Sequence, residues 1–255
     1  MRAREERETG GLEHEHTPEA VERRLRDGPR HSYLRDLVFG AIDGSVTTFA
    51  VVSGVAGAEL SARVIIILGV ANLLGDGFSM AASNFLATRA EEKQRLRARR
   101  TEELHIRSVP EGEREEIRQI FAGKGFVGPD LERVVDVITS DRDQWIDTML
   151  REELGMTTRG PSPWRAAFAT FAAFVVVGAL PLLPFVFHPF SIMEGLSSFV
   201  ASSILTGLAF FAVGAFKGRF VDEPWYWAGL ETLLVGGCAA VLAYLSGLAL
   251  RGVVV

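Results

Sequence analysis

Five runs of about twenty predominantly apolar residues dominate this chain, and runs of that length have few stable fates other than helices crossing a lipid bilayer. A hydrocarbon core roughly 30 Å thick takes about 20 helical residues, and a helix satisfies every backbone polar group within its own segment. Leu37–Ala58 reaches that length with Asp43 as its only charge, and Val64–Ala87 with Asp76 as its only charge. Arg165–Phe187, Leu196–Phe216 and Trp227–Leu250 follow, the last with Glu231 near its start. Pro181 and Pro184 are expected to kink or end the third span, because neither supplies a backbone donor. Trp164, Trp225, Tyr226 and Trp227 fall at span ends, where amphipathic rings prefer the headgroup region.

Between the second and third spans the character reverses. The stretch Glu91–Arg159 holds 13 Lys or Arg and 16 Asp or Glu. The mean hydropathy of +0.19 therefore averages an oil-like and a water-like sequence. The net charge of -5 says little about partners, and no basic patch suggests nucleic acid. Cys238 is the single cysteine, which excludes an internal disulfide. The expected fold is all-α: a polytopic membrane protein of five transmembrane helices with one soluble helical insert. Its divisions fall at 1–35, a flexible N-terminal segment carrying a short helix over Pro18–Asp27; 36–90, the first two spans; 91–160, the insert; and 161–255, the last three spans. The first 30 residues are charged throughout and do not resemble a signal peptide.

Basic residues set an expected orientation. Arg23, Arg24, Arg26, Arg30 and Arg35 precede the first span, Arg89, Lys93, Arg95, Arg97, Arg99 and Arg100 follow the second, and Lys217 and Arg219 follow the fourth. The opposite side carries only Arg63, Arg251 and the turn His188–Glu194. By the positive-inside rule the N-terminus and the insert are cytosolic.

The acids within the spans ask for an explanation, since one at the centre of a membrane helix costs roughly 2.5–3.5 kcal/mol on insertion scales. Asp36 and Asp43 share a helix face, with Thr47 one turn on. Asp76, Met80 and Asn84 recur at every fourth position and share another. If these faces meet, they present carboxylates, a thioether, an amide and a hydroxyl to one another. Carboxylates hold many divalent cations, and a thioether favours the softer transition metals, so Fe²⁺ or Mn²⁺ suits the set better than Ca²⁺ or Mg²⁺. Within the insert, Glu102 pairs with His105, Glu113 with Glu116, and Met149 with Glu152 and Glu153, each at a spacing of three or four residues that places partners on one helix face. Converging, they would form a carboxylate-rich cage; apart, they would be ordinary solvated helix faces.

The segments FGAIDGSVTTFAVVSGVAGA and ANLLGDGFSMAASNFLATRAEE resemble the opening of the vacuolar iron transporter family. The insert's E-x-x-H-x(4)-P-E-x-E-x-x-E and DTMLREELGM resemble that family's cytosolic metal-binding domain, and the likeness runs from about Tyr33 to Gly247. The resemblance implies a homodimer of five-helix protomers with an ion path between the first and second spans along the dimer axis. It implies export of cytosolic Fe²⁺ or Mn²⁺ in exchange for protons, with the metal as cargo and no tightly bound cofactor. Asp43 and Met80 match translocation-site positions, with Asp36 near the entrance. Glu102, Glu113, Glu116, Met149 and Glu153 match the cytosolic cluster. His105 departs from the family's usual E-x-x-E, and Leu150 stands where some relatives carry an acid. An imidazole ligates Fe, Mn and Zn alike, so Zn²⁺ also suits the cytosolic site. The chain's brevity and the lack of a targeting segment fit a bacterial plasma membrane, where the activity would be detoxifying efflux. The alternative is a membrane-tethered metal store or ferroxidase, though di-iron bundles commonly use Glu-x-x-His on two helices and only Glu102–His105 qualifies here.

Overall fold

The computed structural model describes residues 16–27, 32–187 and 197–254. The chain divides into two compact units, Met1–Ser32 and Tyr33–Val255. In the first, helix α1 covers Pro18–Asp27. Thr17 caps it by accepting a bond from the Ala20 amide at 3.3 Å, and Pro18 sits where a missing N–H costs nothing. The flexible segment expected before this helix, and the turn His188–Glu194, lie outside the described residues.

The second unit contains α2 (Leu34–Gly57), α3 (Ala62–Ser108), α4 (Pro110–Gly123), α5 (Gly128–Ser140), α6 (Arg142–Glu152), α7 (Pro163–Gly178), α8 (Ser198–Gly218) and α9 (Trp225–Val254). Every regular element among the described residues is helical. Five stretches are long and apolar enough to cross a membrane: Leu34–Gly57, Ala62–Ser108, Pro163–Val186, Ser198–Gly218 and Trp225–Val253. These match the five apolar runs. The second stands apart because α3 does not stop where its apolar run ends. Its 47 residues make a rod of about 70 Å, more than twice the thickness of the oil.

The prolines act on the third span as expected. Helix α7 stops at Gly178, a 3₁₀ turn covers Leu180–Leu182, and a last helical turn closes at Val186. The carbonyl of Pro181, freed from the helix ladder, accepts a bond from Ser202 Oγ of α8 at 2.6 Å. Inside the bundle the hydroxyls of Ser45, Thr170 and Thr206 return to carbonyls one turn back, whereas those of Thr48 and Ser53 are buried without a partner.

Helix α2 lies at the centre, packed against α3, α7, α8 and α9. Its Gly40-x-x-x-Gly44 pair meets α7: a Cβ on Gly40 would strike the Thr170 carbonyl, and one on Gly44 the backbone of Phe174. Such small-residue contacts let membrane helices approach to backbone distance. Phe49, Val52, Leu73, Phe174, Leu182 and Phe210 fill the space around that crossing.

Beyond the membrane portion, α4, α5 and α6 fold against the continuation of α3. Ile117, Val135, Ile138, Trp145 and Met149 form their core, with Ile106 of α3 packed against it. Gly125 (φ 98°) and Gly128 (φ 57°) allow the chain to reverse between α4 and α5. Asp141 caps α6 through the Gln144 amide at 2.9 Å, and Arg99 of α3 holds Asp147 of α6 at 2.8 Å.

Candidate metal-ion path and collecting site

Two groups of polar side chains stand out, and α3 contributes to both. The first lies between α2 and α3. Asn84 Nδ2 donates to Asp36 Oδ1 at 2.8 Å and to Thr170 Oγ1 of α7 at 2.7 Å. Thr88 Oγ1 donates to Asn84 Oδ1 at 3.3 Å, so the amide joins three helices. Nearer the helix middle, Asn72 Nδ2 donates to Thr47 Oγ1 at 3.4 Å, and the same hydroxyl returns to the Asp43 carbonyl at 2.8 Å. Asp43 is half-buried and within Coulombic reach of Asp76. Met80 is half-buried against the apolar core. Asp76 is exposed on the protomer, beside exposed Leu74 and Phe78.

The sequence stripe Asp76–Met80–Asn84 is thus part of a longer ladder, Asn72–Asp76–Met80–Asn84–Thr88, one residue every four along α3. A step of four residues advances 40° beyond a full turn, so the ladder winds round the helix. That drift spreads the five residues over about 160° of the helix; Asn72 and Asn84 bond to neighbouring helices, and Asp76 is exposed. Asn72, Thr88 and Thr170 were missed by sequence reasoning. Continuing the four-residue spacing in both directions would have found the first two; Thr170 is on a distant helix and gave no such signal.

The second group lies in the insert. Glu102 of α3 and Glu113 of α4 are buried, 3% and 6% exposed, while His105 is exposed between them. Ligand atoms of all three fall within 4.8 Å of one another, and His105 Nδ1 is 3.3 Å from Glu113 Oε1. Pro110 starts α4 immediately after α3, which folds the acidic face of α4 back onto that of α3. Glu102 Oε2 and Glu113 Oε2 are buried without a hydrogen-bond partner. Two carboxylate oxygens so placed are costly unless a cation or protons neutralise them. Burial accordingly pushes the Glu113 carboxyl up to about 7, reinforced by the negative charges of Glu116 and Glu102 and opposed by His105. The Glu153 carboxyl is raised too, first by burial and then by Glu116.

Of the other residues singled out in the sequence, Glu116 and Glu153 are exposed and act on this pocket through their charge. Met149 is fully buried beside Ile117 and Val135 in the insert core. Glu152 is engaged elsewhere, its Oε2 2.6 Å from Lys124 Nζ. Glu103 likewise serves the arginines, within 4.0 Å of Arg99, Arg107 and Arg142.

The model of the VIT family matches residues 34–248, from the first residue of α2 almost to the end of α9. The chain belongs to the VIT family. It is 32% identical over 214 residues to vacuolar iron transporter 1 of Arabidopsis thaliana, covering 83% of each chain. It is 32% identical over 228 residues to the vacuolar iron transporter of Toxoplasma gondii, covering 87% of this chain and 76% of that one. Vacuolar iron transporter 1 of Oryza sativa is 30% identical over 234 residues, 91% of this chain and 88% of that one. These matches include the charged insert as well as the spans. With five membrane-length helices in the same chain, this VIT-family protein is an integral membrane protein.

Proposed function

We propose that this protein carries a divalent transition-metal ion, Fe²⁺ or Mn²⁺, out of the cytosol in exchange for protons. The observation that carries the reading is the pair of buried, unpartnered oxygens on Glu102 and Glu113 beside His105. Glu102 and His105 stand on the same unbroken helix as the polar ladder of the membrane, and Glu113 on the helix that follows it. Relatives named as iron transporters support the same class of cargo.

The insert, on the cytosolic side, collects the ion at Glu102, His105 and Glu113, with Glu116 and Glu153 raising the local negative potential. The carboxylates must be free of protons to hold it, so loading releases protons. The ion then enters past Asp36 and moves between Asp43 and the Asp76–Met80 stretch of α3. Proton exchange at these carboxylates couples the two fluxes. An acid exposed on an apolar membrane helix supports a dimer in which the Asp76 face of α3 meets its counterpart, so that the path is completed by a second copy.

Flux into proteoliposomes tests this. Asp43→Ala should abolish metal-driven proton movement and metal uptake together, for Fe²⁺ and for Mn²⁺. Uptake at the wild-type rate would remove Asp43 from the path. Oxygen consumption on adding Fe²⁺, without transport, would support a ferroxidase instead.

A further inference from the structure

On the membrane surface away from the outward face of α3, the helices α2, α7 and α8 leave a groove of about 470 Å³. Leu37, Ala41, Ala172, Val176, Val213 and Phe216 line it, and no charged or hydrogen-bonding side chain does. Its size falls within the roughly 300–1,000 Å³ of sites that hold small molecules. On α2 the lining belongs to the first two turns, on α8 to the last two and on α7 to the middle of the span, so the groove runs from the insert's side toward the membrane centre.

The mouth of the groove is basic. Each of the three helices carries one exposed arginine at this end: Arg35 on α2, Arg165 on α7 and Arg219 capping α8. Arg165 precedes Ala172 by seven residues, two helical turns, and so lies on the stripe of α7 that faces the groove. Among the described residues none of the three arginines forms an ion pair, whereas neighbouring Lys217 is held by Glu231 at 2.9 Å. Trp164, 75% exposed, and the edge-to-face pair Phe216–Phe220 sit at the same level, as aromatic rings do at the headgroup boundary.

An apolar slot beneath unpaired guanidinium groups is complementary to one class of molecule. We propose that this groove binds an anionic phospholipid of the insert-side leaflet, its acyl chain between α7 and α8 and its phosphate at Arg165 and Arg219, with Arg35 adding to the positive field. Guanidinium groups take phosphate oxygens bidentately, and their long stems can lie along the groove wall while the head stays in the polar layer. A zwitterionic lipid offers the same chain, but its own cation opposes the arginines. Charge at the mouth, rather than the apolar wall, confers selectivity.

The test counts lipids retained on the full-length protein by intact-protein mass spectrometry, after exchange into mixed micelles of phosphatidylglycerol or phosphatidylcholine. Wild type should retain phosphatidylglycerol preferentially. In R165Q/R219Q that preference should fall by about fivefold for each arginine removed. Ala172→Phe, which fills the slot, should lower retention of both lipids. Far-UV circular dichroism confirms that each variant keeps its helices, and the two arginine changes, being on the surface, test the charge independently of A172F. Equal retention of the two lipids by wild type, or undiminished preference in folded R165Q/R219Q, would overturn the proposal.

Discussion

If Glu113 helps to hold the metal as proposed, it links pH to both metal loading and stability of the insert, and Glu113→Gln separates these effects. The folded carboxyl holds its proton up to about pH 7 because it is buried and faces Glu116 and Glu102. A metal ion must displace that proton. One ligand titrating near 7 leaves affinity almost full at pH 8 and reduces it by about tenfold at pH 6. That figure is a floor, since any other ligand gaining a proton in the window adds to it. Stability moves in the opposite sense for the metal-free protein. An unfolded Glu113 ionises near 4.5 and the folded one near 7, so between these values the folded chain keeps a proton that the unfolded chain has lost. The contribution is fully present below pH 4.5 and is lost as pH rises through 7. The separation corresponds to at most about 3 kcal/mol, reduced by the solvent that reaches His105 and Glu116 beside it. Glu113→Gln should therefore flatten the pH dependence of binding, weaken binding at pH 8, and raise the metal-free unfolding midpoint at pH 8 but not at pH 4. Titration calorimetry with Mn²⁺ suits the first two effects, using full-length protein carrying Asp43→Ala so that the heat comes from the insert. An affinity that changes less than threefold between pH 8 and pH 6, or an undiminished slope in E113Q, would refute the argument.

Other substitutions test other parts. Asn84→Leu leaves half-buried Asp36 Oδ1 without its donor and the buried Thr88 hydroxyl without its acceptor, which costs about 1–3 kcal/mol; flux should fall while Mn²⁺ binding to the insert is unchanged. Gly44→Leu forces a side chain into the backbone of Phe174 and should lower the unfolding midpoint by the equivalent of about 1–3 kcal/mol or more. A Cβ at Gly75 meets nothing within 4 Å, so Gly75→Leu should act on the proposed dimer, read as loss of a dimer peak in size-exclusion chromatography with light scattering. His105→Glu adds a negative ligand and should raise Mn²⁺ affinity at pH 8 by about tenfold while steepening its fall toward pH 6.

The membrane portion was legible because length and hydropathy are properties of one segment at a time. The runs beginning at Leu37 and Val64 needed no partner to be recognised, and Pro181 and Pro184 marked the end of the third span by their own chemistry. The pairing Glu102–His105 was readable at helical spacing, and so was Glu113–Glu116. What spacing could not show was which pairs would meet. Glu152 has the same local pattern as Glu153, yet it is held by Lys124 from the far end of α4, a contact that depends on how α4, α5 and α6 close on one another. Met149 lies on the helix that Glu152 ends and Glu153 caps, and its depth in the insert core was set by Ile117 and Val135 on two other helices. The GxxxG of α2 announced a close approach but not its destination, since any helix with a flat face could have taken it. Asp76 is the residue for which a single chain is least informative, because its surroundings within the protomer are open.

The uninterrupted course of α3 has a mechanical consequence. From Phe78 to Ser108 it contains neither glycine nor proline, so nothing in that stretch provides a joint. Asn84 and Glu102 are therefore held at a fixed separation of about 27 Å along one axle. On the proposed function, the collecting pocket at Glu102 and the polar ladder at Asn84 cannot swing independently. Either the remaining helices turn about α3 as a stationary shaft, or α3 tilts and the whole insert sweeps with it. In the second case a few degrees of tilt in the membrane become a displacement of several ångströms at Glu102, and opening the path would itself carry the loaded pocket toward or away from its mouth.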